Sequence, residues 1–567
     1  MTGQTPPKPT QTPSEVGRAD QLDRADGNAV AADAGALARR RAHMTRASIL
    51  VMTAFVGSKL VGLLRERAVA HAFGASPELD AYVAAFRIPD LLFTLIAGGA
   101  LISAFLPVFS EALAREDEEA ARRLASGLTG LALLSTAVLG GIAALAAPWL
   151  ISQLIAPQFT AAQQALTVSL MRVVLLSTLV FAVSGIQMGI LNAYQHFLTP
   201  AIAPIVYNLG ILFGALALAP RLGIHGLAWG AVIGALGHLL VKLPSLRQHG
   251  FRYRLGLALD SRELRLVLHL MWPRVLGLGT VQAIFIVNTN LASGLPGGSL
   301  SALNYAWVLA QMPQTILGTA IATVAFPTLA ELAARGDRDG LRSTAVGALE
   351  IMLALSLPAA VALAMLGGPA IAVLLQTGRF DQQAADATLF ALRMFALGLM
   401  GQVAFEIVAR LFYAQKDTLT VLYIAVSALA VNVVLAYLLV GPLAQGGLAL
   451  ANSIAVTFEV LLGLWLLHRR LGGMGLGRLA STLLRTGLAA SLMAIAIAIV
   501  LVGLPALETT WLGARPPIGS PMLRGLITAG LGGTVGGLVF LGAGLWLDLP
   551  HLRPTVARMR LRSKAHG

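Results

Sequence analysis

Residues 57–75 read GSKLVGLLRERAVAHAFGA, and residues 78–111 read ELDAYVAAFRIPDLLFTLIAGGALISAFLPVFSE. The two stretches are apolar enough to sit in a bilayer, yet they carry Lys59, Arg65, Glu66, Arg67, Asp80, Arg87 and Asp90. Ionisable groups at membrane depth are costly, and they face a partner or a watery cavity rather than lipid. The segment therefore reads as two membrane helices that contribute charge to an internal cavity. Arg87, Pro89 and Asp90 interrupt the second helix, and Gly98 and Gly99 follow. Proline and glycine at membrane depth fit a broken helix lining a cavity.

The rest of the chain agrees with a membrane setting. Of its 567 residues, 56% are hydrophobic and only 12% charged, where a soluble domain carries about a quarter charged. Mean hydropathy is +0.76. Apolar runs long enough to span recur without the period-two alternation of a membrane barrel. Fourteen runs stand out, near 45–73, 80–112, 124–155, 164–194, 198–219, 223–243, 263–293, 300–334, 341–376, 385–414, 418–440, 446–468, 479–504 and 523–547. The expected fold is an all-α polytopic membrane protein with about 14 transmembrane helices. The absence of cysteine excludes disulfides and thiolate chemistry. No cofactor or metal is expected, and no phosphate-binding loop, HExxH or GxSxG motif is present, so the chain reads as a transporter rather than an enzyme. The net charge of +14 does not indicate nucleic acid, because the basic residues sit between apolar runs, where the positive-inside rule places them.

Sorting the connections gives an orientation. Arg115, Arg122, Arg123, Arg247, Arg252, Arg254, Arg262, Arg265, Arg335, Arg338, Arg342, Lys416, Arg469, Arg470 and Arg478 fall on one side. The other side holds little beyond Arg221, Arg379 and Arg515. Both termini are expected to be cytoplasmic.

The sequence also repeats. SAFLPVFSEALARED near 103–117 resembles TVAFPTLAELAARGD near 323–337, and a shift of 220 residues superposes Gly98 on Gly318, Pro107 on Pro327, Glu111 on Glu331 and Arg115 on Arg335. Six spans separate the copies, so they share one topology and are related by an axis along the membrane normal. The expected organisation is a disordered cytoplasmic tail at 1–43 and an N-lobe of helices 1–6 at 44–244. A C-lobe of helices 7–12 at 245–470, helices 13 and 14 at 471–548, and a basic cytoplasmic tail at 549–567 complete the chain. The N-terminal tail lacks the apolar run of a signal peptide.

Further polar positions divide between ligand and packing roles. Pro273 bends the seventh span, and Arg274 beside it offers a second-lobe cation or an interfacial cap. Gln282, Asn288 and Asn290 favour interhelical hydrogen bonding. Asn304, Gln311 and Gln314 suit either hydroxyl-rich ligands or helix contacts. Glu406 and Glu459 are candidates for ion coupling, although Glu406 and Arg410, one turn apart, also neutralise each other. Glu66 and Arg67 read equally well as a surface pair at a helix end.

These blocks resemble one family. The 57–111 segment, GILNAYQHFLTPAIAPIVYNL at 189–209 and ARLFYAQKDTLT at 409–420 are similar to the MurJ (MviN) lipid II flippases of the multidrug/oligosaccharidyl-lipid/polysaccharide exporter superfamily. The resemblance runs from about residue 46 through the fourteenth span. It implies fourteen helices, two lobes and a central cationic cavity. It further implies transport of lipid II, the undecaprenyl-pyrophosphate-linked peptidoglycan precursor, to the outer face of the bacterial inner membrane. The partners implied are a lipid-linked sugar pyrophosphate, membrane lipids, and a membrane potential or Na+/H+ gradient. Substrate-binding positions map onto Lys59, Arg65, Asp80 and Arg87, with Arg274 and Gln311 as further candidates. Lys59 stands where the family has arginine, which keeps the charge but loses the bidentate fork. Phe93 and Thr94 stand at a frequent Arg-Arg pair; Trp307, Val308 and Gln311 replace a frequent Asp-Arg pair and a following Glu. The loss of cavity arginines keeps two alternatives open: an exporter of another polyprenyl-linked glycan or a drug antiporter, and a non-transporting scaffold for cell-envelope synthesis.

Overall fold

The computed structural model describes residues 52–250, 256, 261–511 and 520–549. The tail expected at 1–43 lies outside the described residues, as does the tail at 549–567 apart from Leu549. Among the described residues there are helices and no strands. In chain order these are α1 (52–73), α2 (Pro77–Ala85), α3 (Arg87–Leu92), α4 (Gly99–Ala114), α5 (Glu118–Leu145), α6 (Ala161–Ala193), α7 (Leu198–Phe213) and α8 (His225–Leu240). Then come α9 (Arg262–Ala292), α10 (Ser299–Gln314), α11 (Ala320–Ala334), α12 (Arg338–Leu374), α13 (Gln382–Ala414), α14 (Thr418–Arg470), α15 (Leu476–Trp511) and α16 (Pro521–Trp546).

Eleven described helices are long and apolar enough to cross a membrane. The difference from the fourteen expected has local causes. The first expected span starts outside the described residues. The second is broken into α2, α3, a π-helical turn at Phe93–Ala97 and α4. The eleventh and twelfth run together as α14, which reverses at Ala444 (φ 47°, ψ −132°). A straight helix of its 53 residues would be about 80 Å long. Its two ends instead meet, with Arg470 Nη1 donating to Asp417 Oδ2 at 2.5 Å. α14 is thus a pair of antiparallel segments.

The internal repeat is visible in the local geometry. π-Helical turns at Phe93–Ala97 and Thr315–Thr319 interrupt corresponding helices. Glu111 pairs with Arg115 and Glu331 with Arg335, each at 2.5 Å. Glu116 (φ 59°) and Gly336 (φ 70°) take the same left-handed turn. Asp117 and Asp337 then cap the next helices, accepting from Ala120 N and Gly340 N at 2.8 Å. A side-chain acceptor at this position satisfies a helix-start N–H that has no intrahelical partner.

Core packing shows how the two halves meet. One buried cluster draws on both: Ala68, Phe73, Leu79 and Ile155 from the first half with Leu291, Leu300, Leu375 and Phe380 from the second. A second cluster comes entirely from residues 322–479. A third comes from residues 101–246, joined by Leu264 and Val267 of α9. The halves therefore share one large core at one end of the bundle, while at the other each has its own core, the first half's completed by the start of α9. Such a wedge leaves a cavity between them. Small residues allow the close helix approach within the first half: a Cβ on Gly210 of α7 would stand 2.2 Å from the Gly234 Cα of α8. Helices α15 and α16 form a hairpin against α12, where a Cβ on Gly525 would stand 2.8 Å from Pro369 O.

Candidate functional site

Three recesses follow one another along the wedge. The widest, about 480 Å³, lies between α1, α7 and α10 and is lined by Lys59, Arg65, Glu66, Asn208, Val308 and Gln311 among others. Arg65, Glu66 and Val308 also border the next, about 270 Å³, which adds Tyr82, Arg87, Asp90, Tyr207 and Asn304. Arg87 and Asn304 border a third of about 60 Å³, toward the shared core. The space narrows as α10 runs back from Gln311 to Leu300.

Four of the expected binding residues therefore come together: Lys59, Arg65, Arg87 and Gln311. Arg65 Nη1 donates to Asn208 Oδ1 at 2.9 Å, and Nη2 pairs with Glu66. Arg87 Nε donates to Thr289 Oγ1 at 2.7 Å, and its guanidinium lies 5.3 Å from the Phe285 ring centroid. Arg87 thus links the first half to α9 while remaining on the cavity wall. Its charge also faces Asp90, three residues on in the same recess.

Asp80 lies elsewhere. It is 3% exposed, and its carboxylate accepts from Gly298 N at 2.6 Å, Ser301 N at 2.7 Å and the Ser301 hydroxyl. These are the first N–H groups of α10, which carry no intrahelical partner and the positive end of the helix dipole. Asp80 is the capping anion of a helix in the other half. Around it the connections interlock. Gly298 has φ 93°, and a Cβ there would stand 2.5 Å from Ala75 O. Gly74 has φ 64° and is as tightly placed against Arg379 O. Arg379 N donates to His71 O at 3.0 Å, and Arg67 Nη1 to Val373 O at 2.5 Å. Gln158 N donates to Ser293 Oγ at 3.3 Å. The shared-core end is closed by this set of contacts between halves.

The remaining expected positions are distributed differently. Arg274 lies on α9, but its side chain is outside the described residues. Glu406 of α13 pairs with Arg410 and accepts from Thr319 Oγ1 at 3.4 Å, beside the second π turn. Glu459 is half-buried on the second arm of α14. Neither lines the three recesses. At the positions where the resemblance expects arginines, Phe93 packs edge-on against Phe181 and Thr94 Oγ1 accepts from Gln282 Nε2 at 2.9 Å. Asn208, Tyr82 and Tyr207 are cavity residues not singled out from the sequence. Asn208 is a polar residue one turn after Pro204 in an otherwise apolar helix, which is the signal that marks it.

Comparison with known proteins adds the family. The family model described as "Lipid II flippase MurJ" matches residues 69–512. The chain belongs to the lipid II flippase MurJ family. A lipid II flippase MurJ of Burkholderia cenocepacia is 30% identical over 427 residues, covering 74% of this chain and 83% of that protein. The solved structure of a lipid II flippase MurJ in an inward closed conformation matches with a TM-score of 0.72 at 24% identity, over 88% of this chain and 99% of that one. An inward-facing multidrug resistance transporter of the MATE family matches with a TM-score of 0.60 at 17% identity, over 75% and 98%. The MurJ family consists of transporters rather than enzymes, and the solved MurJ structure shares the fold described above.

Proposed function

We propose that this MurJ-family chain carries an undecaprenyl-pyrophosphate-linked peptidoglycan precursor, lipid II, from the cytoplasmic to the outer face of the bacterial inner membrane by alternating access. The observation that carries this reading is the placement of Lys59, Arg65 and Arg87 along one cavity that is closed at one end by contacts between the halves. The pyrophosphate is anionic, and guanidinium and ammonium donors give it charge-assisted hydrogen bonds. Arg274 joins them in this reading through its sequence position alone.

Both termini are cytoplasmic in this reading, so the closed end faces outward and the wide recess faces the cytoplasm. The lobes are 44–244 and 245–470, with 471–548 as an added helix pair beside the lipid tail. Substrate enters the wide recess, the Asp80 clamp opens, and the lobes rock. A membrane potential or a Na+/H+ gradient, with Glu406 and Glu459 as candidate coupling groups, drives the return. One charge moved through 100 mV supplies about 2.3 kcal/mol. The test is growth of a host depleted of its own flippase, with membrane expression of this chain verified. Rescue by the native chain, and its loss with Arg65→Ala and Arg87→Ala, is the expected result.

A second reading is transport of another polyprenyl-linked glycan. Phe93, Thr94, Trp307 and Val308 favour it, because they stand where the family resemblance expects charge and so reduce the grip on pyrophosphate. A drug antiporter fits less well, since Lys59, Arg65 and Arg87 outnumber the Glu66 and Asp90 carboxylates on the cavity wall.

A further inference from the structure

The third recess has a chemistry unlike the rest of the cavity. Its walls are aromatic. Phe285 meets Trp307 edge-on with ring centroids 5.6 Å apart, and Trp307 meets Phe395 at 5.3 Å. Three amides, Asn288, Asn304 and Asn452, open onto the same space. Among the described residues, Arg87 is the only charged one lining it. Asn288 is 8% exposed, and its Oδ1 has no hydrogen-bond partner. A buried acceptor left unpaired costs about 1–3 kcal/mol.

Size limits the occupant. A volume of about 60 Å³ holds roughly four water-sized atoms at ~15 Å³ each. That is too small for a sugar ring and matches the four heavy atoms of an acetamido group. The neighbouring recess of about 270 Å³ has room for the ring itself. An acetamido group has a methyl for the aromatic wall, and an N–H and a carbonyl for the asparagine amides that line the recess. A free ammonium finds no carboxylate here and faces Arg87.

The geometry points to a carbohydrate subsite in which the Trp307–Phe285 wall and the Asn288, Asn304 and Asn452 amides take the acetamido substituent of an N-acetylated sugar. The inference rests on the flippase reading and goes beyond it, since it assigns the sugar to a place distinct from the cationic positions that hold pyrophosphate. It also gives Trp307 a purpose: where the family resemblance expects charge, the residue supplies an apolar surface suited to the acetyl group.

The test is equilibrium binding to the full chain in nanodiscs with three probes: undecaprenyl pyrophosphate, the same lipid carrying N-acetylglucosamine, and the same lipid carrying glucosamine. The native chain is expected to bind the acetylated lipid about ten-fold more tightly than either other probe, the ratio one recovered hydrogen bond gives. Trp307→Ala and Asn288→Leu remove that preference and leave undecaprenyl pyrophosphate binding within about two-fold, while Trp307→Phe retains most of it. Equal binding of acetylated and deacetylated lipid by the native chain overturns the subsite alone. An equal loss for all three probes in both variants overturns it as well, since that is the signature of a packing role. Failure of the native chain to bind any of the three overturns the subsite together with the flippase reading.

Discussion

The Asp80 clamp gives the most exacting test of how the cavity is closed. Asp80→Asn keeps the volume and removes the charge. The native carboxylate accepts from Gly298 N, Ser301 N and the Ser301 hydroxyl, all belonging to the opposite half. An asparagine offers one carbonyl oxygen to these donors and turns its NH2 toward the rest. At least one charge-assisted bond is lost, worth about 1.5–3 kcal/mol, and those that remain are weakened to neutral bonds. Loss of the anion from the start of α10 adds about 0.3–1 kcal/mol. The sum is roughly 3 kcal/mol, and it falls on the closed arrangement because every bond crosses between the halves. At about 1.4 kcal/mol per factor of ten, the open population should rise on the order of 100-fold. The chain has no cysteine, so a single cysteine at Val308, on the wall of the two wider recesses, reports access without background. A membrane-impermeant maleimide added at the face of the 74–77 and 376–380 connections should label it far faster in Asp80→Asn than in the native background. An unchanged rate in a folded, membrane-inserted protein would refute the clamp.

Other consequences are narrower. Gly298→Ala forces a Cβ to 2.5 Å from Ala75 O at a positive φ; it should open the same end by 2 kcal/mol or so, read by the same labelling. Lys59→Arg restores the planar fork at the cavity wall and should tighten binding of undecaprenyl pyrophosphate several-fold, to about ten-fold. Arg478→Ala removes the 2.8 Å ion-pair partner of Glu350, whose side chain is 3% exposed, and should cost about 1–3 kcal/mol, seen as a lower thermal midpoint in detergent. Burial raises the Asp417 carboxyl, but hydrogen bonds from Thr420 and the Arg470 charge outweigh it and hold the group below its ordinary value. A depressed carboxylate stabilises the fold above its unfolded pKa, so the Asp417–Arg470 contribution should fade as pH drops below about 4. Comparing native and Arg470→Ala thermal midpoints across that window measures it.

Hydropathy was enough for the all-α membrane architecture, because a bilayer forces long apolar helices. The repeat was legible for a similar reason: Pro107 and Pro327, or Asp117 and Asp337, are local signals that each determine a turn or a cap. Asp80 was harder. Its place in a charged apolar stretch suggested a ligand, but the donors that engage it lie more than two hundred residues away, and no local pattern shows them. Lys242 was missed for the opposite reason. At the end of a span it looks like a loop cation, yet it is fully buried, with Nζ 2.7 Å from Ser184 Oγ and 3.4 Å from His238 Nδ1. The reversal at Ala444 was legible, because it falls between the expected spans 418–440 and 446–468. Trp307 was visible as a departure from the family, but its partnership with Phe285 and Phe395 is tertiary.

Lys59, Arg65 and Arg87 form the anion path in the proposed transport of lipid II. The most direct measurement is translocation of fluorescent lipid II in proteoliposomes of the purified chain, followed by quenching of the probe that remains outside, with and without an imposed membrane potential. Translocation by the native chain is expected, with a loss of at least about ten-fold in Arg65→Ala and Arg87→Ala variants that insert normally. Translocation that is absent in the native chain, or that survives both substitutions unchanged, would contradict it.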